Sequence, residues 1–326
     1  MRKITLLLFI TFCATFSLSA QDEKVINNKD DIKQMEKKKD DKEGWTKIGG
    51  LGANFSWLSL INPRAGAGDN RVGFGGLLNY SANLIKGKII SNNKFGLQLD
   101  VVKIGNGPYQ KANDVLQATS QTGYQIDKVG KWYAAGLVDF QSQFLPTYGG
   151  NYLKAKQTIA GKDSTLALTG KLFSPATFKL APGIIHKPNA HTTILYSPVA
   201  FKAIIVTDKN LANSGVFFPN PNKDKTVDAQ IGSELRIDYV NKFFNDKLIY
   251  ATTLDLYSNY RRNPQNIDLE WYHSLDVMVS KNISLNFKSD WFYDDDILVF
   301  TDGDAKKPTK NVFYRNAFLL KFSRLF

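Results

Sequence analysis

Residues 312–326 read VFYRNAFLLKFSRLF. Phe318, Leu320 and Phe322 alternate with Leu319, Lys321 and Ser323. In an extended chain successive side chains point to opposite faces, so this stretch is a strand with one oily face and one mixed face. Arg324 shares the oily parity near the end, where a long cationic side chain can lie along apolar surface and keep its head at an interface. Taken alone, such a strand fits the edge of a soluble sandwich as well as a membrane wall. The decision comes from the recurrence of the pattern along the chain, behind an export signal.

That signal is at the other end. Met1-Arg2-Lys3 is followed by the mostly apolar run Ile4 to Phe12 and then by Ser17-Leu18-Ser19-Ala20. A short basic region, an apolar core and small residues at a cleavage region make a secretory signal peptide, here residues 1–20, with cleavage after Ser19 or Ala20. A membrane anchor helix fits less well, because the run is short and interrupted by Thr11, Cys13 and Thr15. Cys13 is the only cysteine, and Ile10-Thr11-Phe12 before it is a poor lipoprotein box. The exported chain is therefore expected to carry no disulfide, thiol nucleophile or thiolate metal site.

The 326 residues carry a formal charge of +12, two units of which leave with Arg2 and Lys3. No later stretch approaches the roughly 20 continuous apolar residues of a spanning helix. The exported chain is then either soluble or a closed barrel, the other structure that satisfies its backbone in lipid. Much of the basic excess falls in turn candidates such as Lys86, Lys88, Lys154, Lys223, Arg261 and Lys306. This favours anionic head groups or polysaccharide over a nucleic-acid groove, and no nucleic-acid partner is expected.

Residues 21–44 are dense in Asp, Glu and Lys with few large apolar residues. Such a segment buries too little surface to offset its ordering entropy and reads as a mobile periplasmic arm. From Gly44 the texture changes to alternation, glycine and aromatics. Twelve strand candidates follow, at about 48–60, 72–85, 94–104, 114–126, 131–144, 176–187, 192–206, 226–240, 247–258, 266–280, 283–294 and 312–326. Each approaches or exceeds the roughly 9–11 residues of a tilted membrane strand. In the third, Phe95, Leu97 and Leu99 oppose Gly96, Gln98 and Asp100; in the tenth, Ile267, Leu269 and Trp271 oppose Asp268 and Glu270.

Connections after even-numbered strands are short, for example Lys86-Gly87-Lys88 and Lys281-Asn282. Those after odd-numbered strands are expected to be longer: 61–71, 105–113, 145–175, 207–225, 259–265 and 295–311. Short turns on one side, long loops on the other and an even strand count define an outer-membrane barrel, whereas a sandwich has no reason to gather its long loops at one end. The predicted fold is thus an all-β, antiparallel, up-and-down transmembrane barrel of about twelve strands over residues 45–326, placed in the cell outer membrane. Aromatics fit the frame. Trp57, Trp291 and Tyr293 fall near long loops, Trp132 and Tyr250 near short turns, as two interfacial girdles require.

At this point a resemblance can be stated. The residues that carry it are Gly44-Trp45-Thr46-Lys47, Asn54-Phe55-Ser56, Lys131-Trp132-Tyr133, Gln143-Phe144, Phe173-Ser174-Pro175-Ala176 and Leu195-Tyr196-Ser197-Pro198. Asp255-Leu256-Tyr257-Ser258-Asn259-Tyr260, Asn263-Pro264-Gln265-Asn266-Ile267-Asp268 and Tyr293-Asp294-Asp295-Asp296 belong with them. Over nearly all of the exported chain the sequence resembles an uncharacterised family of outer-membrane barrels of Bacteroidota-type bacteria. The resemblance implies fold and location and supplies no catalytic residue.

On the inward parity lie Asp100, Asp139, Asp228, Glu234, Asp238, Asp255, Asp268, Glu270, Asp276 and Asp290, with fewer bases, chiefly Arg236, Lys288 and Lys321. Rings of charge set pore selectivity, so one reading is a cation-attracting lumen. The other is a lumen filled by ion pairs and hydrogen bonds, since a buried carboxylate needs partners. Residues 145–175 form the loop long enough to fold inward as a plug. Asp294, Asp295, Asp296, Asp302 and Asp304 are weak candidates for a calcium site, although their spacing is not that of an EF-hand. No cofactor is expected.

Some outer-membrane barrels are lipases, with Ser and His on the lipid face. Here His273 sits beside Ser274, which points to the opposite face, and His186 and His191 lie at the short-turn end, so no nucleophile and base pair is apparent. The expected function is passage or uptake of a small solute. A structural or surface-interaction barrel with a closed lumen is the alternative, and outer-leaflet lipid hydrolysis is third. Expected partners are outer-membrane lipid, lipopolysaccharide and, through the aromatic-terminated last strand, the barrel-assembly machinery.

Overall fold

The computed structural model describes residues 43–58, 70–159, 161–214, 217, 225–294, 299–300, 308–309 and 312–325. The expected signal peptide and all of the arm before Glu43 lie outside the described residues. Twelve long strands close into a barrel: β1 (Gly44–Leu58), β2 (Arg71–Lys86), β3 (Ile89–Ile104), β4 (Tyr109–Gln125), β5 (Trp132–Ser142), β6 (Ala176–Asn189), β7 (Thr192–Ile205), β8 (Val227–Phe243), β9 (Leu248–Asn259), β10 (Ile267–Met278), β11 (Ile283–Tyr293) and β12 (Phe313–Leu325). Each pairs antiparallel with its sequence neighbours, and β12 closes on β1 through Gly50 to Phe55 against Leu320 to Leu325. Closure leaves no open sheet edge, which lipid would not tolerate.

The period-two pattern sorts the side chains. Phe55, Phe74, Phe201, Leu285, Phe318 and Leu320 are all about half exposed or more. Gln98, Asp139, Lys179, Glu234, Asp255, Asn286 and Lys288, from the opposite parity, are buried. This is a soluble protein turned inside out. A continuous outer band of aromatic and aliphatic side chains far exceeds the apolar patches that water-exposed proteins carry. Facing a bilayer, it is the favourable arrangement.

Among the described residues bulges interrupt the alternation at several places, two of which bear on charged side chains. In β7 an extra residue between Ser197 and Ala200 carries the outward set from Tyr196 to Phe201, so Lys202 points inward. In β4 a shift opposite Asp100 and Val101 places Asp114 beside Leu99 and Lys111 beside Val101 on the outward side. Bulges bend a strand and redirect its side chains.

One expectation about connections is corrected. The link after β3 is not long: Val101 to Lys103 continue pairing with Lys111 to Tyr109, leaving only residues 105–108 between strands. The long excursion from 143 to 175 is tied to the rim of β4 among its described residues. Lys111 N donates to Asn151 O at 2.7 Å, and Gln110 bridges to Tyr152, so the excursion extends the wall above β4. The Asp114 carboxylate anchors its base, accepting from Phe144 N, Leu145 N and Lys111 Nζ at 2.8, 2.7 and 2.8 Å.

Candidate functional site

The lumen is the place where most of the candidate residues meet. Lys179 reaches from β6 to Asp255 at 2.9 Å and Glu234 at 3.3 Å. Glu234, Asp255, Lys179 and Arg236 expose only 1, 2, 4 and 5% of their surface. Arg236 Nε donates to Asp238 at 3.1 Å, and Thr253 adds a hydroxyl donor to the same carboxylate. On the facing wall Asp139 accepts from Thr119 and Gln117. Asp276 accepts from Ser284 and lies 3.9 Å from Lys321. Asp290, Lys288 and Asn286 are buried on β11. Glu270 accepts from Tyr272 Oη at 2.8 Å. Asp100 takes donors from Asn54, Gln98 and Asn113 across three strands. Gly75 makes that last cluster possible, because a Cβ there would collide with the Asp100 carboxylate.

A water-filled channel would leave the charged ring solvent-accessible. The central residues of the ring are buried, with Lys179 held between carboxylates of two other strands. Charged groups taken out of water need partners within hydrogen-bond reach, and here Asp100, Asp139, Glu234, Asp238, Asp255, Glu270 and Asp276 each have one.

Lys179 and Lys202 are the functional residues that the sequence reading missed. Lys179 was legible, since it alternates with Phe178 and Leu180 on β6. Lys202 pairs with Asp268 at 3.4 Å, and its inward direction depends on the bulge before it, which simple alternation does not reveal.

Of the aromatics, Trp132 and Trp291 are outward and about half exposed, and Tyr250 and Tyr293 share their outward parity. Trp57 is placed in β1 near the long-loop end, and nothing is described of its side chain. Of the calcium candidates only Asp294 is described, and it is buried at the upper rim. Asp295, Asp296, Asp302 and Asp304 lie outside the described residues. Among the described residues no group of three or more His, Cys, Asp or Glu side chains is arranged to hold a metal ion.

Above the wall, a one-turn helix, α1 (Lys209–Ala212), packs Leu211 and Ala212 on Val206, with Leu168, Ile204 and Phe217 around them. Asp208 caps this helix and pairs with Lys171 of the other excursion at 2.8 Å. The Lys171 ammonium, together with the amides of Leu211 and Asn210, holds the Asp208 carboxyl below the usual aspartate range. The described parts of the two outer excursions are thus joined through one ion pair and one small apolar cluster.

A closed twelve-stranded antiparallel barrel, oily outside and charged inside, is an outer-membrane β-barrel, and the cell outer membrane is its location. Residues 53–148 match a family model described as a protein of unknown function, DUF3078, a match that spans the chain from within β1 to just past β5. No curated protein is similar enough in sequence to count as a relative. Among solved structures, the translocator domain of autotransporter NalP from Neisseria meningitidis is similar at 10% identity, covering 87% of this chain and 88% of that one with a TM-score of 0.38. An outer-membrane channel from Pseudomonas putida F1 has the same identity and TM-score, covering 87% of this chain and 96% of its own. The outer-membrane channel DcaP of Acinetobacter baumannii is 8% identical, covering 86% and 97%, with a TM-score of 0.29.

Proposed function

We propose that this chain is a surface-interaction barrel of a Bacteroidota-type bacterium. In this reading its lumen is closed by its own ion pairs, and its working surface is the part of the two outer excursions that the Lys171–Asp208 pair and the Val206 cluster hold together. The observation that carries the reading is the burial of Lys179 with Glu234 and Asp255 at mid-barrel. A closed wall anchors, and the joined outer excursions present. The Lys171–Asp208 pair and the Val206 cluster support the second half, because they hold two excursions in one arrangement.

Solute passage is the second reading, favoured by one feature of the plug. It is made of long charged side chains from separate strands rather than a fixed inserted segment, so rotamer changes alone would open it. Single-channel recording in planar bilayers separates the two. The closed reading expects a flat baseline at all voltages after confirmed insertion. Stepwise openings would overturn it in favour of passage.

A further inference from the structure

The register of the outer wall brings together three polar residues that lie far apart in sequence. His273 in β10 is paired with Ser289 in β11, and Ser289 is paired with Asn316 in β12. All three share the outward parity of Leu275, Phe287 and Phe318, the lipid-facing set. Directly opposed residues carry Cβ atoms about 4.5–5.5 Å apart, within reach of one another's functional groups.

The histidine is held. Tyr250 Oη lies 2.9 Å from His273 Nδ1, and the ring of Trp271 packs beside the imidazole at 4.5 Å between centroids. Tyr250 belongs to β9 and engages Nδ1, which leaves Nε2 without a hydrogen bond among the described residues, and Ser289 stands directly across from His273 on β11. Ser289 Oγ accepts from Trp291 Nε1 at 3.0 Å, which occupies a lone pair and leaves the hydroxyl proton to be given away. Trp271 and Trp291 are paired one step toward the long loops, their rings 6.0 Å apart. Indoles settle at the lipid–water interface, so the level just beneath them is where the acyl esters of outer-leaflet lipid begin.

We propose that Ser289 and His273 form a serine esterase site on the lipid-facing wall, acting on acyl esters of outer-leaflet lipid. This inference rests on the outer-membrane placement and is independent of whether the lumen is open. Ser289 Oγ adds to the ester carbonyl as its proton passes to His273 Nε2. The Asn316 carboxamide, next to Ser289 on its other side, is the donor available to the developing oxyanion. The tetrahedral adduct collapses, the C–O bond to the alcohol breaks, and the imidazolium protonates the departing alkoxide. Interfacial water then adds to the acyl-serine with His273 taking its proton, and free fatty acid leaves. Tyr250 is a positioning residue, since it touches the imidazole and the Tyr239 ring rather than the reacting atoms, accepting from Nδ1–H in the tautomer this step requires.

The test uses the full chain in mixed micelles with phosphatidylethanolamine in one arm and lipopolysaccharide in the other, and measures free fatty acid. A fluorophosphonate probe is added separately and its attachment site mapped by mass spectrometry. The wild type is expected to release fatty acid in at least one arm, which identifies the lipid, and to carry the probe on Ser289. Ser289→Ala is expected to lose both. His273→Ala is expected to lower release by a factor of about 100 or more, the usual contribution of a general base. Tyr250→Phe is expected to lower kcat and displace its pH profile, with KM little changed. These side chains face outward, so folding is checked by heat-dependent gel migration. A folded wild type that neither releases fatty acid nor takes the probe overturns the proposal, as does release that survives in Ser289→Ala.

Discussion

Lys179→Ala is expected to lower the stability of the barrel by about 3–5 kcal/mol, the usual cost of removing one partner from a buried charge pair. The ammonium stands between Asp255 and Glu234, and all three are nearly inaccessible to water. Deleting it leaves two carboxylates close together in a poorly solvated space, where both ionised forms are disfavoured. Urea unfolding in lipid vesicles, followed by tryptophan emission, measures the loss. Adding Glu234→Gln and Asp255→Asn to the same chain is expected to recover part of it, because the uncompensated charges are then removed as well. A Lys179→Ala midpoint equal to wild type would mean that water reaches the centre of the lumen, and the closed reading would fall.

Phe318→Arg carries the second large effect, about 2–4 kcal/mol if the residue lies near the bilayer midplane. Phe318 is 63% exposed, and its ring lies tilted against Phe287 of the neighbouring strand. On the surface of a water-soluble protein, replacing so exposed a residue by arginine would change stability by less than about 0.5 kcal/mol. The two environments therefore give results several-fold apart on one substitution. The same urea titration reads it, and a near-neutral outcome would speak against lipid contact at this face.

The wall itself was legible in residues such as Phe318, Leu320 and Phe322, because a period of two together with an export signal leaves few architectures. All twelve strands occur where alternation places them, with ends shifted by a few residues. Alternation carries no count of extra residues, which is why Lys202 was not recognised as inward and the link after β3 was expected to be long. Both errors have the same physical origin, a bulge that slips one side of the ladder past the other. The pairing of His273 with Ser289 was illegible for a different reason. The adjacent Ser274 draws attention in sequence, yet it is buried in the lumen and bonded to Asn286, while the outward neighbour comes from the next strand. The clasp of Lys171 on Asp208 likewise depends on how two excursions meet in space, which no local pattern encodes.

The central claim is that the oily parity touches lipid and the charged parity is enclosed. Nitroxide labels at position 318 and position 286, each introduced as cysteine in a Cys13→Ser background and reconstituted into vesicles, test it directly. Relaxation by dissolved oxygen reports contact with hydrocarbon, and relaxation by a water-soluble nickel chelate reports contact with water. Position 318 is expected to respond strongly to oxygen and hardly to nickel, while position 286, where Asn286 is 1% exposed, responds weakly to both. Strong nickel relaxation at position 318 would contradict the arrangement outright.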